Sequence, residues 1–381
     1  MTQQQQEESD VPSTHSPSAS SSKQLPTVLI VGAGLIGSYT AAHLAARPDL
    51  CTTHLIARGN TATALKQLDS ISATSGAGAT ATAKLSDLHL HESIAEFAAR
   101  PTTTAGAASA PPPDYVIVAV KRGVAPTVYR ELATTGWVDK PALLPFMNGI
   151  RAADEAADFA GALTITDAMW PFNVIQHGGV GHYVQASGGN VCVADSKAGR
   201  AFAVLLSAAG VPTDTSPDMD GIRYGKLLLN LHNAVSALTG LPIQEELSTR
   251  AARKIWASCI TETLEVYRAN GINPVSFLPY GIAYSYLPTI LSLPTFLFAR
   301  VARGMLAIDP RATSSMYEDL VHNRPTEIDF IQGAIVALAK ECGLQVPVCE
   351  RVVALVKEAE KKKKGTPRLA AENILDALEL I

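Results

Sequence analysis

Charge is the property that this sequence has least of. Charged residues make up 17 % of its 381 residues, whereas about a quarter is usual in globular proteins. The 31 basic and 35 acidic residues leave a formal net charge of −4. Without a basic excess the chain cannot neutralise a phosphate backbone, so nucleic acid is not an expected partner. Because 47 % of the residues are hydrophobic, a disordered acidic chain is excluded as well.

Cysteines and targeting signals are also scarce. The five cysteines form no CxxC pair, so neither a disulfide framework nor a metal site is predicted, and a reducing, cytoplasmic location is expected. Residues 1–24 are rich in Gln and Ser and contain no apolar stretch, so they lack the hydrophobic region of a secretory signal. We predict that they form a disordered tail.

One long uncharged run resembles a membrane span in hydropathy alone. Residues 269–299 carry no charge. A spanning helix needs about 20 apolar residues in continuous helix, and four prolines, at positions 274, 279, 288 and 294, interrupt this run. We therefore predict short helices and turns that pack on the protein body or across a homodimer, without membrane contact.

Apolar runs alternate with helical patterns in the first half of the chain. Strands are predicted at 27–34, 53–58, 114–120, 141–149 and 162–170, and helices follow the first four of these, with Asn60 placed to cap the second. Such alternation predicts an α/β fold with a doubly wound parallel sheet. The segment 73–113 has room for one more strand and helix, and its Ala/Thr/Pro-rich part, about 99–113, is predicted to be a flexible insertion.

The second half of the chain has helical periodicity. A hairpin turning at Gly188–Gly189 and a helix over 196–210 come first, and residues 211–218 are predicted to be a linker. Helices are predicted at 218–240, 249–270, 326–342 and after Pro367. With about 150 residues per domain, the length corresponds to roughly two domains. We place the first domain at 25–215 and the all-α second domain at 216–381.

A glycine-rich loop follows the first strand. The sequence GAGLIG comprises Gly32, Ala33, Gly34, Leu35, Ile36 and Gly37. G-x-G-x-x-G between a buried strand and a helix is typical of the Rossmann fold, where the glycines allow a tight turn and let a dinucleotide pyrophosphate approach the helix N-terminus. The alternative is a tight turn without a ligand.

Polar residues at other strand ends are candidates for the same ligand. Arg58 ends the second strand, where NAD-binding proteins usually carry an acid; a guanidinium there favours the 2′-phosphate of NADP(H). Lys121 is a candidate for binding cofactor phosphate or substrate charge, and Asn148 for binding the nicotinamide side. The alternatives are a solvated arginine and two loop-capping residues.

The helix predicted at 218–240 is mostly apolar, so its polar residues stand out. Lys226, Asn230 and Asn233 are spaced by four and three residues, which places them on one helical face. A buried lysine is costly unless it is paired. The alternative is a lysine whose stem covers apolar surface while its ammonium stays in water.

A second polar cluster spans residues 314–330. It contains Ser314, Ser315, Glu318, Asp319, Glu327 and Asp329. The segment from Thr326 onward has the pattern of a helix that begins near Glu327. The alternative interpretation is helix capping, since acids in a first turn favour a helix N-terminus.

Taken together, these motifs resemble the ketopantoate reductase (2-dehydropantoate 2-reductase) family. They are GAGLIG at 32–37, VKR at 120–122, NGI at 148–150, KLLLN at 226–230, SSMYEDL at 314–320 and RPTEID at 324–329. The resemblance implies an N-terminal NADP-binding Rossmann domain, an all-helical C-terminal domain and an active site between them. It also implies NADPH-dependent reduction of a 2-keto acid, ketopantoate to pantoate, in the pantothenate and coenzyme A pathway.

The resemblance also implies roles for individual residues. Lys226 matches the catalytic lysine and Asn230 its helical neighbour, Ser315 matches a substrate-binding serine, and Glu327 matches a glutamate that contacts substrate. Lys121 and Asn148 match residues on the cofactor and substrate sides. The family usually has Asn eight residues after the lysine; here that position is Ala234, and Asn233 precedes it. Two alternatives stay open: a related dehydrogenase for another keto compound, and a non-catalytic NADP(H)-binding sensor.

Overall fold

The computed structural model describes residues 25–101, 110–137, 140–150, 152–159, 163–278, 281–306 and 309–379. The predicted N-terminal tail lies outside these residues, as does most of the predicted insertion, at 102–109.

Thirteen strands form three sheets within the described residues. They are β1 Thr27–Val31, β2 Thr52–Ile56, β3 Ser70–Thr74, β4 Thr80–Lys84, β5 Leu88–His91, β6 Tyr115–Val118, β7 Ala142–Pro145, β8 Thr164–Ile165, β9 Ala168–Met169, β10 Val174–Gln176, β11 His182–Gln185, β12 Val191–Ala194 and β13 Thr213–Ser216. The main sheet has the order β5-β2-β1-β6-β7-β8 and is parallel throughout. Two smaller sheets have the orders β10-β11-β3-β4 and β13-β12-β9.

Helices surround the main sheet and make up most of the chain after residue 217. They are α1 Leu35–Ala45, α2 Gly59–Leu65, α3 Ile94–Ala98, α4 Ala125–Ala133, α5 Ala152–Ala157, α6 Lys197–Ala208, α7 Met219–Asn230, α8 His232–Thr239, α9 Ile243–Ser248, α10 Arg250–Ala269, α11 Leu287–Ser292, α12 Thr295–Val301, α13 Arg303–Leu306, α14 Ser315–Val321, α15 Gln332–Glu341, α16 Pro347–Lys362 and α17 Ala371–Glu379. Short 3-10 turns lie at Leu85–Asp87, Arg122–Val124, Tyr284–Tyr286 and Ile328–Phe330.

The first strand shows why the apolar runs are continuous. In β1, Val28 and Ile30 belong to the core on one face of the sheet, and Leu29 and Val31 belong to the core on the other face. A strand covered by helices on both faces needs no polar alternation. The α/β fold with a parallel sheet and a following helical region is therefore confirmed.

Several local predictions were wrong, for reasons of tertiary pairing. No hairpin turns at Gly188–Gly189: β11 pairs with β10 and β3, whereas β12 pairs with β9 and β13 in another sheet. The predicted linker at 211–218 contains β13, which runs parallel to β12. The strand predicted at 162–170 is divided between β8 and β9, which belong to different sheets.

Helix boundaries needed correction as well. Asn60 does not cap α2, since that helix begins at Gly59. The helix predicted from 326 begins at Gln332, after a 3-10 turn. The helix predicted at 218–240 is interrupted at Leu231, whose carbonyl accepts a hydrogen bond from Gln332 Nε2 at 2.8 Å.

The uncharged run forms short helices that pack on the helical core. Leu287 and Leu291 of α11 and Phe298 of α12 are buried in that core. Phe296 and Tyr286 are exposed, by 74 % and 64 %. Among the described helices, none has the length and apolarity required to cross a membrane.

Three imidazoles are stacked between the edge strand β5 and its neighbour β2. His54 Nδ1 lies 2.9 Å from His91 Nε2, and the rings of His54 and His89 stack at 4.7 Å. Phe97 of α3 packs edge-on against His54. Burial first, and then the neighbouring charges of His89, His91 and Arg100, lower the pKa of His54 to about 3.

The free energy of unfolding should fall as the solution is acidified below pH 6.5. Between about 6.5, the ordinary histidine value, and about 3 the unfolded chain holds a proton on His54 that the folded chain does not. The contribution of neutral His54 to the free energy of unfolding is therefore fully present above pH 6.5. It is lost at lower pH, by up to about 1.4 kcal/mol per pH unit. We expect His54→Gln to reduce this slope in urea titrations, and exposed His177→Gln to leave it unchanged. Equal slopes in all three proteins would contradict the assignment.

Candidate active site

The glycine loop leaves room for a ligand where a dinucleotide would approach. Gly32 has φ +112, and a Cβ on it would lie 2.5 Å from the Ala119 carbonyl oxygen. A Cβ on Gly37 would collide with the Gly32 carbonyl, so this helix can approach the strand only with glycine there. Beside Gly34, in contrast, the closest atom to an added Cβ is 4.0 Å away.

The beginning of α1 can bind an anion. Gly34 is the N-cap residue of the helix and has no side chain to satisfy its first amides. Those amides and the helix dipole favour a phosphate. The open space at Gly34 and the uncapped amides of this 11-residue helix therefore fit a dinucleotide pyrophosphate.

Arg58 lies just after β2 and is paired with an acid. It precedes α2, and its Nη2 donates to Glu131 Oε2 of α4 at 2.7 Å. The side chains are 50 % and 37 % exposed. An ion pair this exposed contributes about 0–1 kcal/mol, so a phosphate can compete for the guanidinium.

Lys226 of α7 is partly buried and has no carboxylate partner among the described residues. Its Nζ donates to the Pro171 carbonyl oxygen at 2.7 Å. Desolvation by burial lowers the pKa of this lysine to about 8. An ammonium whose pKa lies near neutral pH can both stabilise a nearby negative charge and release its proton.

A chain of hydrogen bonds connects α7 to the segment before α15. Asn230 Nδ2 donates to Asn148 Oδ1 at 3.3 Å, and Asn148 Nδ2 donates to Glu327 Oε2 at 3.2 Å. The other oxygen of Glu327 accepts from the backbone N–H of Arg122 at 3.2 Å. Glu327 is 6 % exposed. It precedes the 3-10 turn and does not cap α15, so the capping interpretation was wrong for this residue.

Lys121 lies close to Glu327, between the main sheet and the helical region. Its Nζ donates to Asp319 Oδ2 at 2.7 Å and is 4.0 Å from Glu327 Oε2. Asp319 belongs to α14 and also accepts from Arg324 Nε at 3.1 Å. In the sequence, Asp319 belonged to a polar cluster and was given no role. Its position four residues after Ser315, which places both on one face of a helix, was the signal that could have assigned it to the site.

The two serines of α14 have different environments. Ser314 is the N-cap: its Oγ accepts from the backbone N–H of Tyr317 and donates to the Asn233 carbonyl oxygen, both at 3.1 Å. Ser315 is partly buried, and its hydroxyl makes no hydrogen bond with the residues described. Ala234 is fully buried in the helical core.

Two buried arginines hold the loop that carries Asn148. Arg122 donates through Nε and Nη2 to both oxygens of Glu155 at 2.9 Å, and through Nη1 to the Asn148 carbonyl oxygen at 3.3 Å. Arg223 pairs with Asp167 and donates to the Gly149 carbonyl oxygen at 3.3 Å. Both arginines are 3 % exposed. They were missed in the sequence because their acidic partners are more than 30 positions away.

The predicted site residues thus fall into two groups. The structure brings together Lys121, Asn148, Asn230 and Glu327, with Lys226 one helical turn before Asn230. Ser315 is connected to this group through α14, which carries Asp319. The glycine loop and Arg58 follow the ends of β1 and β2, and they form the second group.

Comparisons with known proteins identify the family of this chain. Residues 28–197 match the family model described as "Ketopantoate reductase PanE/ApbA", and residues 218–360 match "Ketopantoate reductase PanE/ApbA C terminal". A curated 2-dehydropantoate 2-reductase of Caulobacter vibrioides is 25 % identical over 344 residues, which is 88 % of this chain and 99 % of that protein.

Solved structures share the fold. A PanE/ApbA family ketopantoate reductase from Ralstonia eutropha JMP134 superposes with a TM-score of 0.69 at 23 % identity, over 89 % of this chain and 99 % of that one. A D-mandelate dehydrogenase in complex with NADH and anilino(oxo)acetate gives 0.66 at 20 % identity, over 88 % and 99 %. Because the two family models together span most of the sequence, the chain belongs to the ketopantoate reductase family of oxidoreductases.

Proposed function

We propose that this protein reduces a 2-keto acid to a 2-hydroxy acid with NADPH, and that ketopantoate is the substrate and pantoate the product, in the pantothenate and coenzyme A pathway. The observation that carries the proposal is Lys226, a partly buried lysine without a carboxylate partner in the described structure, whose pKa burial lowers to about 8. It lies one helical turn from the chain Asn230–Asn148–Glu327. The curated relative bears the name of this activity.

The residues of the chain have complementary roles in this reaction. NADPH, when bound at the glycine loop, supplies a hydride to the keto carbon. Lys226 stabilises the negative charge that develops on the carbonyl oxygen and gives it a proton. Asn230 and Asn148 orient these groups, because the amide of Asn148 is fixed by one donated and one accepted hydrogen bond.

Two more residues bind the ends of the substrate. The hydroxyl of Ser315 donates to the substrate carboxylate, and Glu327 accepts from a hydroxyl group of the substrate. Since Asn148 and the Arg122 amide already hold both oxygens of Glu327, this carboxylate is presented in one orientation. Closure of the two regions excludes water and strengthens these interactions.

The test is a panel of 2-keto acids, ketopantoate included, with NADPH oxidation followed by its absorbance and NADPH binding measured by fluorescence. The proposal expects turnover that is fastest with ketopantoate. Faster turnover of another keto acid would indicate a related dehydrogenase. Binding of NADPH without turnover of any of them would indicate a non-catalytic sensor and would overturn the proposal.

The cofactor choice is tested at Arg58. We expect Arg58→Ala to raise the KM for NADPH at least tenfold, because the guanidinium pairs with the 2′-phosphate, and to change the KM for NADH less than threefold. Glu131→Gln should lower the KM for NADPH, since it frees Arg58 from its present partner. Arg47→Ala removes another exposed arginine of an ion pair and serves as the control. Equal effects on both cofactors would place Arg58 outside the ribose site.

We also propose a homodimer in a reducing compartment such as the cytoplasm. All five cysteines are free thiols. Phe296, Tyr286 and Val301 expose apolar surface around α12, where a second copy could pack. The ketopantoate reductase of Staphylococcus aureus, whose solved structure shares this fold with a TM-score of 0.61 at 16 % identity, is described as dimeric. Light scattering on the wild type and on Phe296→Ser decides: a monomer in both contradicts this assembly.

A further inference from the structure

An ion bridge joins the dinucleotide side of the molecule to the helix that carries Ser315. Lys121 follows β6 of the main sheet, and Asp319 belongs to α14 of the helical region. Their side chains meet at 2.7 Å although 198 positions separate them in the sequence. Arg324 contacts the second oxygen of Asp319 at 3.1 Å.

Asp319 is much more deeply buried than the two cations that it contacts. The side chain of Asp319 is 1 % exposed, whereas that of Lys121 is 44 % exposed and that of Arg324 is 53 % exposed. A carboxylate is costly to bury unless charged or hydrogen-bonding partners compensate it. Asp319 is not a helix cap, because Ser314 has that position. Its buried carboxylate is therefore used to anchor two cations.

The ammonium of Lys121, held by Asp319, lies beside the candidate site residue Glu327. Lys121 Nζ is 4.0 Å from Glu327 Oε2, the oxygen that accepts from Asn148. Without Asp319 the ammonium of this long side chain would keep only the 4.0 Å ion pair with Glu327, since it has no other hydrogen-bond partner among the described residues. The positive charge of Lys121 would then no longer have a fixed position next to Glu327 and Asn148.

We propose that Asp319 is a positioning residue: it holds Lys121 next to Glu327 and thereby fixes α14, with Ser315, against the sheet at the substrate site. This inference rests on the proposed function, because the group that benefits is the bound 2-keto acid. Arg324 acts only as a second counter-ion, on the other carboxylate oxygen of Asp319.

The experiment is a double-mutant cycle with Lys121→Met and Asp319→Asn. Each single variant should raise the KM for the 2-keto acid about tenfold and change kcat less than threefold, since Lys226 is untouched. The double variant should resemble the single variants, because both remove the same interaction. Arg324→Gln is the matched control and should change the KM less than threefold. A loss of fold alone would lower the active fraction and so kcat, without this change in KM.

A second readout does not depend on activity. Urea denaturation of the same four proteins should give a midpoint for the double variant that is no lower than that of Asp319→Asn. If Asp319→Asn does not fold, Lys121→Met and Lys121→Arg carry the test: the arginine should retain the wild-type KM within threefold and the methionine should not.

The outcomes separate the two hypotheses. Multiplicative effects on KM, or a wild-type KM in Lys121→Met, overturn the positioning role while the reductase activity stands. A wild type that reduces no 2-keto acid overturns the proposed function, and the denaturation cycle still reports whether Lys121 and Asp319 interact.

Discussion

Lys226→Ala is expected to lower the turnover of the 2-keto acid by two to four orders of magnitude. The substitution removes the cation that faces the developing negative charge and the proton that neutralises it, and each of these effects is worth about a hundredfold or more. KM should change much less, because Ser315 and Glu327 still bind the substrate. Stopped-flow measurement of NADPH oxidation gives the rate of the chemical step directly.

The pH dependence follows from the same group. Lys226 must carry its proton to act as an acid, and burial places its pKa at about 8. Turnover should therefore be constant below pH 7 and fall about tenfold per pH unit above 8. In Lys226→Arg this decline should disappear, because arginine keeps its charge at every pH in the range.

Lys197→Ala is the matched control for this prediction. Lys197 begins α6 and is exposed, so its removal should leave turnover unchanged. A fall of less than tenfold in Lys226→Ala, worth about 1.4 kcal/mol, would show that Lys226 is not the proton donor. A decline in rate above pH 8 that persists in Lys226→Arg would point to another titrating group.

The parts of the fold that the sequence predicts are those determined locally. The glycine spacing 32–34–37 and the apolar run of β1 specify a strand, a turn and a helix within about 20 residues. Pairing between distant strands is not encoded in this way. β12 follows shortly after two glycines, yet its partners are β9 and β13, so the sheet arrangement and not the local pattern excluded the hairpin.

The same distinction applies to the candidate site. Lys226 and Asn230 share one helix face, and their spacing is visible in the sequence. Asp319, Arg122 and Arg223, in contrast, are ordinary charged residues in the sequence. They belong to the site only because of the residues that they pair with. The partners Glu155, Asp167 and Lys121 lie 33, 56 and 198 positions away, so spacing along the chain does not reveal these three ion pairs.

Arg253→Met should be the most destabilising substitution outside the site. Arg253 of α10 is fully buried and donates to three carbonyl oxygens, those of Leu291 at 2.9 Å, Leu247 at 2.7 Å and Leu293 at 2.8 Å. Its guanidinium also lies 4.2 Å from the ring centre of Phe298. Methionine fills similar space but leaves three carbonyl acceptors without this donor, two of them buried and one partly buried. Each buried acceptor left unpaired costs about 1–3 kcal/mol.

The expected loss is therefore about 3–5 kcal/mol in the free energy of unfolding, measured by urea denaturation with the fluorescence of buried Trp256 on the same helix. Arg250→Met is the control: Arg250 is exposed and donates only to the Ser292 carbonyl oxygen among the described residues, so it should cost less than about 1 kcal/mol. Equal losses in the two variants would contradict the role of Arg253. The segment 269–299 has no charge of its own, and the fold anchors it through carbonyl groups in and after α11 on two arginines of α10, the buried Arg253 and the exposed Arg250.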